Sequence, residues 1–311
     1  IAVSYNQPRF CSDTGLYSNG TTIAEKDILG NDPWSIFADW KNSIYVINRQ
    51  RDQILIWNND KSTEPSRKIK SAWKSLSSLF VTVSNDIYIA TVETNGRVIK
   101  IDQKTGTQTP WLTIQNGSCF GLFVDIYDHL YCSLHYQHKI VKVWLHAPND
   151  KLITVAGTGY LGNTSSRFNH PWGIFVTDNL DLYVADSGNN RVQLFQGSSK
   201  SGRTIAGNGS YPVTIELFYP TAVTLDGNGQ VWIVDSHHHR IIRFYEDSFL
   251  CIIGCSKNNE SSRPHSMAFD NRGNGYVIDS ANHRMQKFMK NPYCGKLREK
   301  IKRLASFVQT F

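Results

Sequence analysis

Residues 170–195 read HPWGIFVTDNLDLYVADSGNNRVQLF. Two apolar runs, GIFV and LYV, flank a polar turn, and Asp186, Asn189, Asn190 and Arg191 follow within six residues. Acid, amide and guanidinium at that density look like catalytic equipment. Recurrence decides the matter, because a catalytic pair occurs once whereas framework recurs with the fold. The pattern occurs six times, beginning at Asp32, Ser75, Ser118, His170, Tyr219 and Arg263. Its aromatic anchors Tyr45, Tyr88, Tyr131, Tyr183, Trp232 and Tyr276 are 43, 43, 52, 49 and 44 residues apart.

Each copy reads strand, tight turn, strand, polar loop, strand. A fourth strand is expected between copies, as in LITVAG (152–157), RTIAG (203–207) and LCIIG (250–254). Four strands in ~40–50 residues is the spacing of propeller blades. β-Helix coils are shorter, and leucine-rich repeats need a Leu lattice that this chain lacks. The expected fold is therefore all-β, a six-bladed β-propeller over residues 31–292. An aromatic content of 12% fits strands, which accommodate such side chains on a pleated surface. Blade six lacks an outer strand of its own, so the segment 1–30 is expected to close the ring. Gln7–Cys11 is the stretch expected to do so, with a Cys11–Cys294 disulfide clamping the seam. Residues 293–311 form a basic tail in which Leu297, Ile301, Leu304, Val308 and Phe311 recur at helical spacing. A short amphipathic helix is expected there, touching a membrane surface or a partner.

The repeat resembles the NHL repeat, whose signature is Pro-x-Gly-Ile/Val, an aromatic-Val-x-Asp strand and Asn-x-Arg-Ile/Val-x-x-Phe. Blade four carries the set as Pro171, Gly173, Ile174, Tyr183, Asp186, Asn189, Arg191 and Phe195. The Asp/Arg element returns as Asp235 with Arg240 and Asp279 with Arg284, whereas blades one to three have Asn48 with Gln53, Thr91 with Arg97, and Leu134 with Lys139. With the NQPRFC start and the CIIGC element, the chain resembles extracellular NHL propellers of invertebrates. The resemblance implies the fold; function must come from the site.

Recurrence at a fixed offset marks Asp186/Arg191, Asp235/Arg240 and Asp279/Arg284 as structural ties made by charge-assisted hydrogen bonds. What the repeat leaves free is the residue opening each innermost strand: Trp34, Ser77, Phe120, Trp172, Thr221 and His265. These six are expected to ring one mouth of the channel and are the candidate ligand-binding residues. His265, after Pro264, also matches the Pro-His motif with which peptidyl-α-hydroxyglycine amidating lyases, themselves NHL-type propellers, place a zinc ligand. Catalytic zinc needs three protein ligands, and the series holds one histidine. The run His237–His239 alternates faces and is expected to be a solvated loop. No catalytic residue, metal or cofactor is assigned.

The expected function is a secreted, non-enzymatic recognition propeller for a protein, peptide or glycan. Its alternatives are an RNA-binding NHL propeller and the zinc-dependent lyase. RNA binding needs a basic face for phosphates. The formal charge is +7, but residues 290–311 carry +5 of it and the remaining chain only +2, so nucleic acid is a poor fit. Six cysteines without a C-x2-C pair read as disulfides in an exported protein. Besides Cys11–Cys294, the candidate pairs are Cys119–Cys132, off-pair in a simple hairpin register, and Cys251–Cys255, which needs a bend at Gly254. Five glycosylation sequons, at Asn19, Asn116, Asn163, Asn208 and Asn259, also point outside the cytoplasm. The chain opens on Ile1 with no signal-peptide core, as expected of a mature chain or a fragment. No apolar run reaches the ~18 residues of a membrane-spanning helix.

Overall fold

The computed structural model describes residues 5–10, 15–58, 62–147, 151–210, 215–245, 248–255 and 262–292. These residues form six four-stranded antiparallel sheets whose inner strands neighbour one another around a closed ring. Blade one runs outward as Ile36–Ala38, Ile44–Asn48, Gln53–Trp57 and Arg67–Lys70. Blade four runs Pro171–Val176, Leu182–Asp186, Arg191–Phe195 and Arg203–Gly207. Because each sheet is covered on both faces by its neighbours, the second strands read as continuous apolar runs, not alternating ones. Ile44–Asn48 and Ile87–Thr91 are buried along their whole length, whereas the outer strand Arg67–Lys70 buries only Ile69.

Blade six is composite. Pro264–Phe269, Gly275–Asp279 and Arg284–Phe288 take Thr21–Ala24 as their outer strand, with Thr21 opposite Lys287. The N-terminal segment thus closes the ring, but not with the stretch expected. Pro8 has no N–H for a ladder, whereas Thr21, Thr22 and Ile23 are β-branched and suit one. Gln7–Phe10 instead runs beneath blades five and six. Gly227 N donates to Pro8 O (2.9 Å), Asn228 Nδ2 donates to Phe10 O (2.6 Å), and the Phe10 ring packs on Trp232 and Phe269. Cys11, Cys294, Asn259 and the tail 293–311 lie outside the described residues.

Two disulfides are described. Cys251–Cys255 forms because Gly254 leaves the strand at φ +78°, providing the bend. In the Cys119–Cys132 hairpin the register jumps between Cys119 and Gly121, so Cys119 opposes Leu134 while Leu122 opposes Cys132. That bulge brings the diagonal pair to a Cα–Cα distance of 5.3 Å.

A second recurring device escaped the sequence reading. Six residues before the anchor aromatic stands Asp39, Asp125, Asp226 or Asp270, and Thr82 or Thr177 in blades two and four. Asp39 Oδ1 accepts from the backbone of Lys41 and Ser43, while its Oδ2 accepts from Tyr45 Oη (3.0 Å). Asp226 does the same for Asn228, Gln230 and Trp232 Nε1. Asp39, Asp226 and Asp270 shape the turn and cap the buried ring of their own blade, while Asp125 shapes its turn by accepting from Tyr127 N and His129 N.

Candidate functional site at the mouth of the channel

The Asp/Arg pairs form the frame. Arg191 Nε lies 2.7 Å from Asp186 Oδ2, and its other nitrogens donate to the carbonyls of Asn163, Thr164 and Arg167. Asp186 in turn accepts from Asn169 N and Asn189 Nδ2. Arg240–Asp235 and Arg284–Asp279 repeat the contact at 2.8 and 2.9 Å. Each pair pins the segment entering its blade to the loop between the second and third strands. Burial pushes the Asp186 carboxyl above its ordinary range, against the lowering effect of its hydrogen bonds and Arg191.

Blades are also latched to one another. The side chain following a second strand reaches the carbonyl that opens the next blade: Arg49 Nε donates to Leu76 O (3.0 Å), Ser187 Oγ to Pro220 O (2.6 Å), and Ser280 Oγ to Pro33 O across the seam. In blade three His135 Nδ1 faces Pro171 O at 3.2 Å.

Inside this frame the six strand-opening residues converge, with unequal roles. Ser77 and Thr221 are buried and turned sideways, donating to Cys119 O (2.7 Å) and His265 O (2.8 Å). The other four meet across the axis. Trp34 stacks on His265 (5.5 Å, 11°), and Trp172 stands edge-on to Trp34, Phe120 and His265 at 5.3, 5.0 and 4.9 Å. Their rings fill much of the bore, leaving a cavity of about 140 Å³. Three residues deeper, Phe37, Phe80, Phe123 and Phe175 make a second aromatic layer, and Tyr5 of the N-terminal segment packs against Phe80, Phe123 and Phe175.

The mouth also gathers residues that the sequence reading passed over. Arg49 lies 3.3 Å over the Trp34 ring and 3.4 Å from Asp32. His170 sits 4.7 Å from His135 and 4.9 Å from His138 between ring centroids. Tyr219 stacks on His237 at 4.9 Å, and Tyr136 and Phe218 stand exposed at 62% and 48%. The exposed Arg263 acts electrostatically on Tyr219, His237 and His265. The sequence signal was available: His135, Tyr136, His138 and His237 follow second strands, and His170 and Tyr219 precede the inner strands of blades four and five, but only the ring shows that these loops of different blades meet. The histidine run diverges, with His237 on Tyr219, His238 Nδ1 on Asp235 (2.9 Å) and His239 Nδ1 on Ser262 O.

Burial holds His265 down to about 4 and His135 to about 3, the latter helped by neighbouring His170. Both are neutral at physiological pH. His265 Nδ1 is engaged with Trp34 O at 2.8 Å. Among the described residues, no three His, Cys, Asp or Glu side chains converge so as to hold a metal ion. The residues present do not fit the three-ligand zinc centre that the Pro-His motif implies.

The NHL repeat family model matches residues 168–195 and 219–244. No curated protein matches the chain. Among solved structures, a streptogramin B lyase superposes with a TM-score of 0.64 at 15% identity, covering 88% of this chain and 98% of the other. Virginiamycin B lyase from Staphylococcus aureus gives 0.63 at 12% identity over 87% and 98%. A structural-genomics protein of unknown function from Bacteroides thetaiotaomicron gives 0.68 at 12% identity over 93% and 76%. At these identities the likeness is one of fold.

Proposed function

The chain is an NHL-repeat β-propeller of six blades, and on that premise we propose that it is a non-enzymatic recognition module, binding a protein, peptide or glycan on the face around the channel mouth. One observation carries the reading. Rings occupy much of the bore, leaving about 140 Å³, while Tyr136, Phe218 and Arg263 remain exposed around them, giving a shallow aromatic face with the Arg263 guanidinium at its edge. Such a face suits an extended ligand laid across several blades. The protein acts outside the cytoplasm. Disulfides Cys119–Cys132 and Cys251–Cys255 support this, as do Asn19, Asn116, Asn163 and Asn208, all exposed within their sequons.

A second reading, a lyase, draws support from the shape shared with streptogramin B and virginiamycin B lyases and from the imidazoles His135, His170 and His265 around the mouth. One experiment separates the two. Disulfide-intact protein from a secretory host is probed against glycan and peptide arrays and incubated with virginiamycin B. Its mass before and after glycosidase reports on the sequons. The expected result is an array ligand whose binding falls at least about tenfold in Tyr136→Ala/Phe218→Ala/Arg263→Ala, as for loss of contact-dominating residues, with virginiamycin B intact. Turnover of virginiamycin B, or full binding by the triple variant, overturns the reading. An unglycosylated protein with free thiols overturns the extracytoplasmic part.

A further inference from the structure

Blade two departs from its sisters on the side of the ring opposite the mouth. Where blades one, three, five and six place a carboxylate six residues before the anchor aromatic, blade two places Thr82, whose Oγ1 accepts from Asp86 N (3.1 Å). Asp39 caps Tyr45 Oη at 3.0 Å, but Thr82 is too short to cap Tyr88. Among the described residues Tyr88 Oη has no hydrogen-bond partner, although the residue is 3% exposed. Blade four shares the threonine, as Thr177; at blade two the uncapped phenol lines a cavity shared with the neighbouring blade. That cavity, about 400 Å³, lies between blades two and three.

Its walls are of two kinds. Phe80, Val83, Trp111 and Leu145 are apolar, with Trp111 edge-on to Tyr88 at 5.4 Å, and Tyr5 contributes to the lining. The charged groups are Asp86, Asp125, Asp128, Lys100 and His146. Lys100 Nζ neutralises Asp86 at 2.8 Å. Asp125 has a fully buried side chain, with Oδ1 held by Tyr127 N and His129 N and Oδ2 3.3 Å from His129 Nδ1. Asp128 is exposed, and among the described residues its carboxylate pairs with the His146 imidazole, at 3.4 Å. Three carboxylates against one lysine leave the cavity anionic whenever the histidines are neutral.

We propose that this cavity binds a primary alkylammonium group, whether of a lysine side chain or of a free amine. An ammonium brings three donors and no acceptor. Tyr88 Oη and the Asp128 carboxylate supply acceptors, and the alkyl stem lies along Trp111, Val83 and Leu145. The aromatic walls favour an organic cation over a hydrated metal ion, since ring faces attract cations while excluding water. The site is independent of the mouth, and neither reading depends on the other.

The test is calorimetric titration of the full chain with n-butylammonium, with n-butanol as the uncharged isostere and N-acetyl-lysine amide as the peptide-like source. We expect n-butylammonium to bind, n-butanol not to, and binding to weaken by about tenfold in Asp128→Asn, the scale of a lost charged hydrogen bond. Tyr88→Phe weakens it less, by roughly threefold. Asp128 is exposed, so its variant keeps the fold. Binding of N-acetyl-lysine amide as well assigns the site to a protein partner, and binding of the free amine alone assigns it to a small molecule. Absence of n-butylammonium binding, equal binding of n-butanol, or an unchanged affinity in Asp128→Asn overturns the proposal.

Discussion

His265 shows what a single residue can and cannot reveal. Its place after Pro264 resembled a metal-site motif, yet its ring lies flat on Trp34 and its Nδ1 faces a backbone carbonyl. Its chemistry is that of a buried neutral imidazole, and this has a measurable consequence. In the unfolded chain His135 and His265 protonate near 6.5, whereas burial holds them at about 3 and about 4 in the folded state. Below 6.5 the unfolded state binds more protons, so their neutral-state stability is present above that value and is lost as pH falls toward 4. Melting temperature is therefore expected to drop between pH 6.5 and pH 4, less steeply in His265→Gln. Calorimetric scans across that range check it, and equal slopes for the two proteins would contradict it.

Elements are decided by turn chemistry that the sequence carries in plain sight. The aspartates six residues before four of the six anchor aromatics, and the glycines ending outer strands, recur with the blades just as Asp186 and Arg191 do. The aspartates' partners lie within six residues, but only the fold shows that one carboxylate oxygen holds the turn while the other meets the ring. The glycines' close contacts come from residues farther away in the chain, as Asn190 does for Gly207. Gly207 ends the fourth strand of blade four at φ +82°, where an added Cβ would lie 2.2 Å from Asn190 O. Gly197, at φ +55°, has open space around it. Gly207→Ala is expected to destabilise by about 2–3 kcal/mol, combining positive φ with overpacking, and Gly197→Ala by about 1 kcal/mol from φ alone. Urea unfolding of the two variants measures the difference, and equal midpoints would show that the close approach carries no weight.

At the scale of the whole molecule the ring is the unit of stability, since each blade buries its faces only against its neighbours. Its seam depends on one strand, Thr21–Ala24, and on the Ser280–Pro33 latch. Removing residues 1–24 also removes Tyr5 from the axial aromatic layer and Phe10 from Trp232. Such a truncation is expected to lower the melting temperature by ~10 °C or more, because each kcal/mol lost shifts the midpoint of a large domain by about 2–4 °C. Removing residues 1–10 alone keeps the strand and is expected to cost less. Matching midpoints for both truncations and the full chain would mean that the ring closes without its N-terminal strand.

The amino-acid sequence by itself determined the architecture, because six copies of one strand pattern leave few folds and the spacing of Tyr45 to Tyr276 selects a ring of blades. It also marked Asp186 and Arg191 as a recurring tie, and they pair at 2.7 Å with Arg191 holding the carbonyls of the entering segment. The tertiary structure alone decided which segment closes blade six, and that Ser77 and Thr221 turn aside while Trp34, Phe120, Trp172 and His265 fill the bore. It alone showed that blade two leaves Tyr88 uncapped above a cavity. The physical reason is common to all three. Repeat spacing encodes hydrogen bonds within a blade, whereas the mouth, the seam and the cavity are made where side chains from different blades, dozens of residues apart, meet in space.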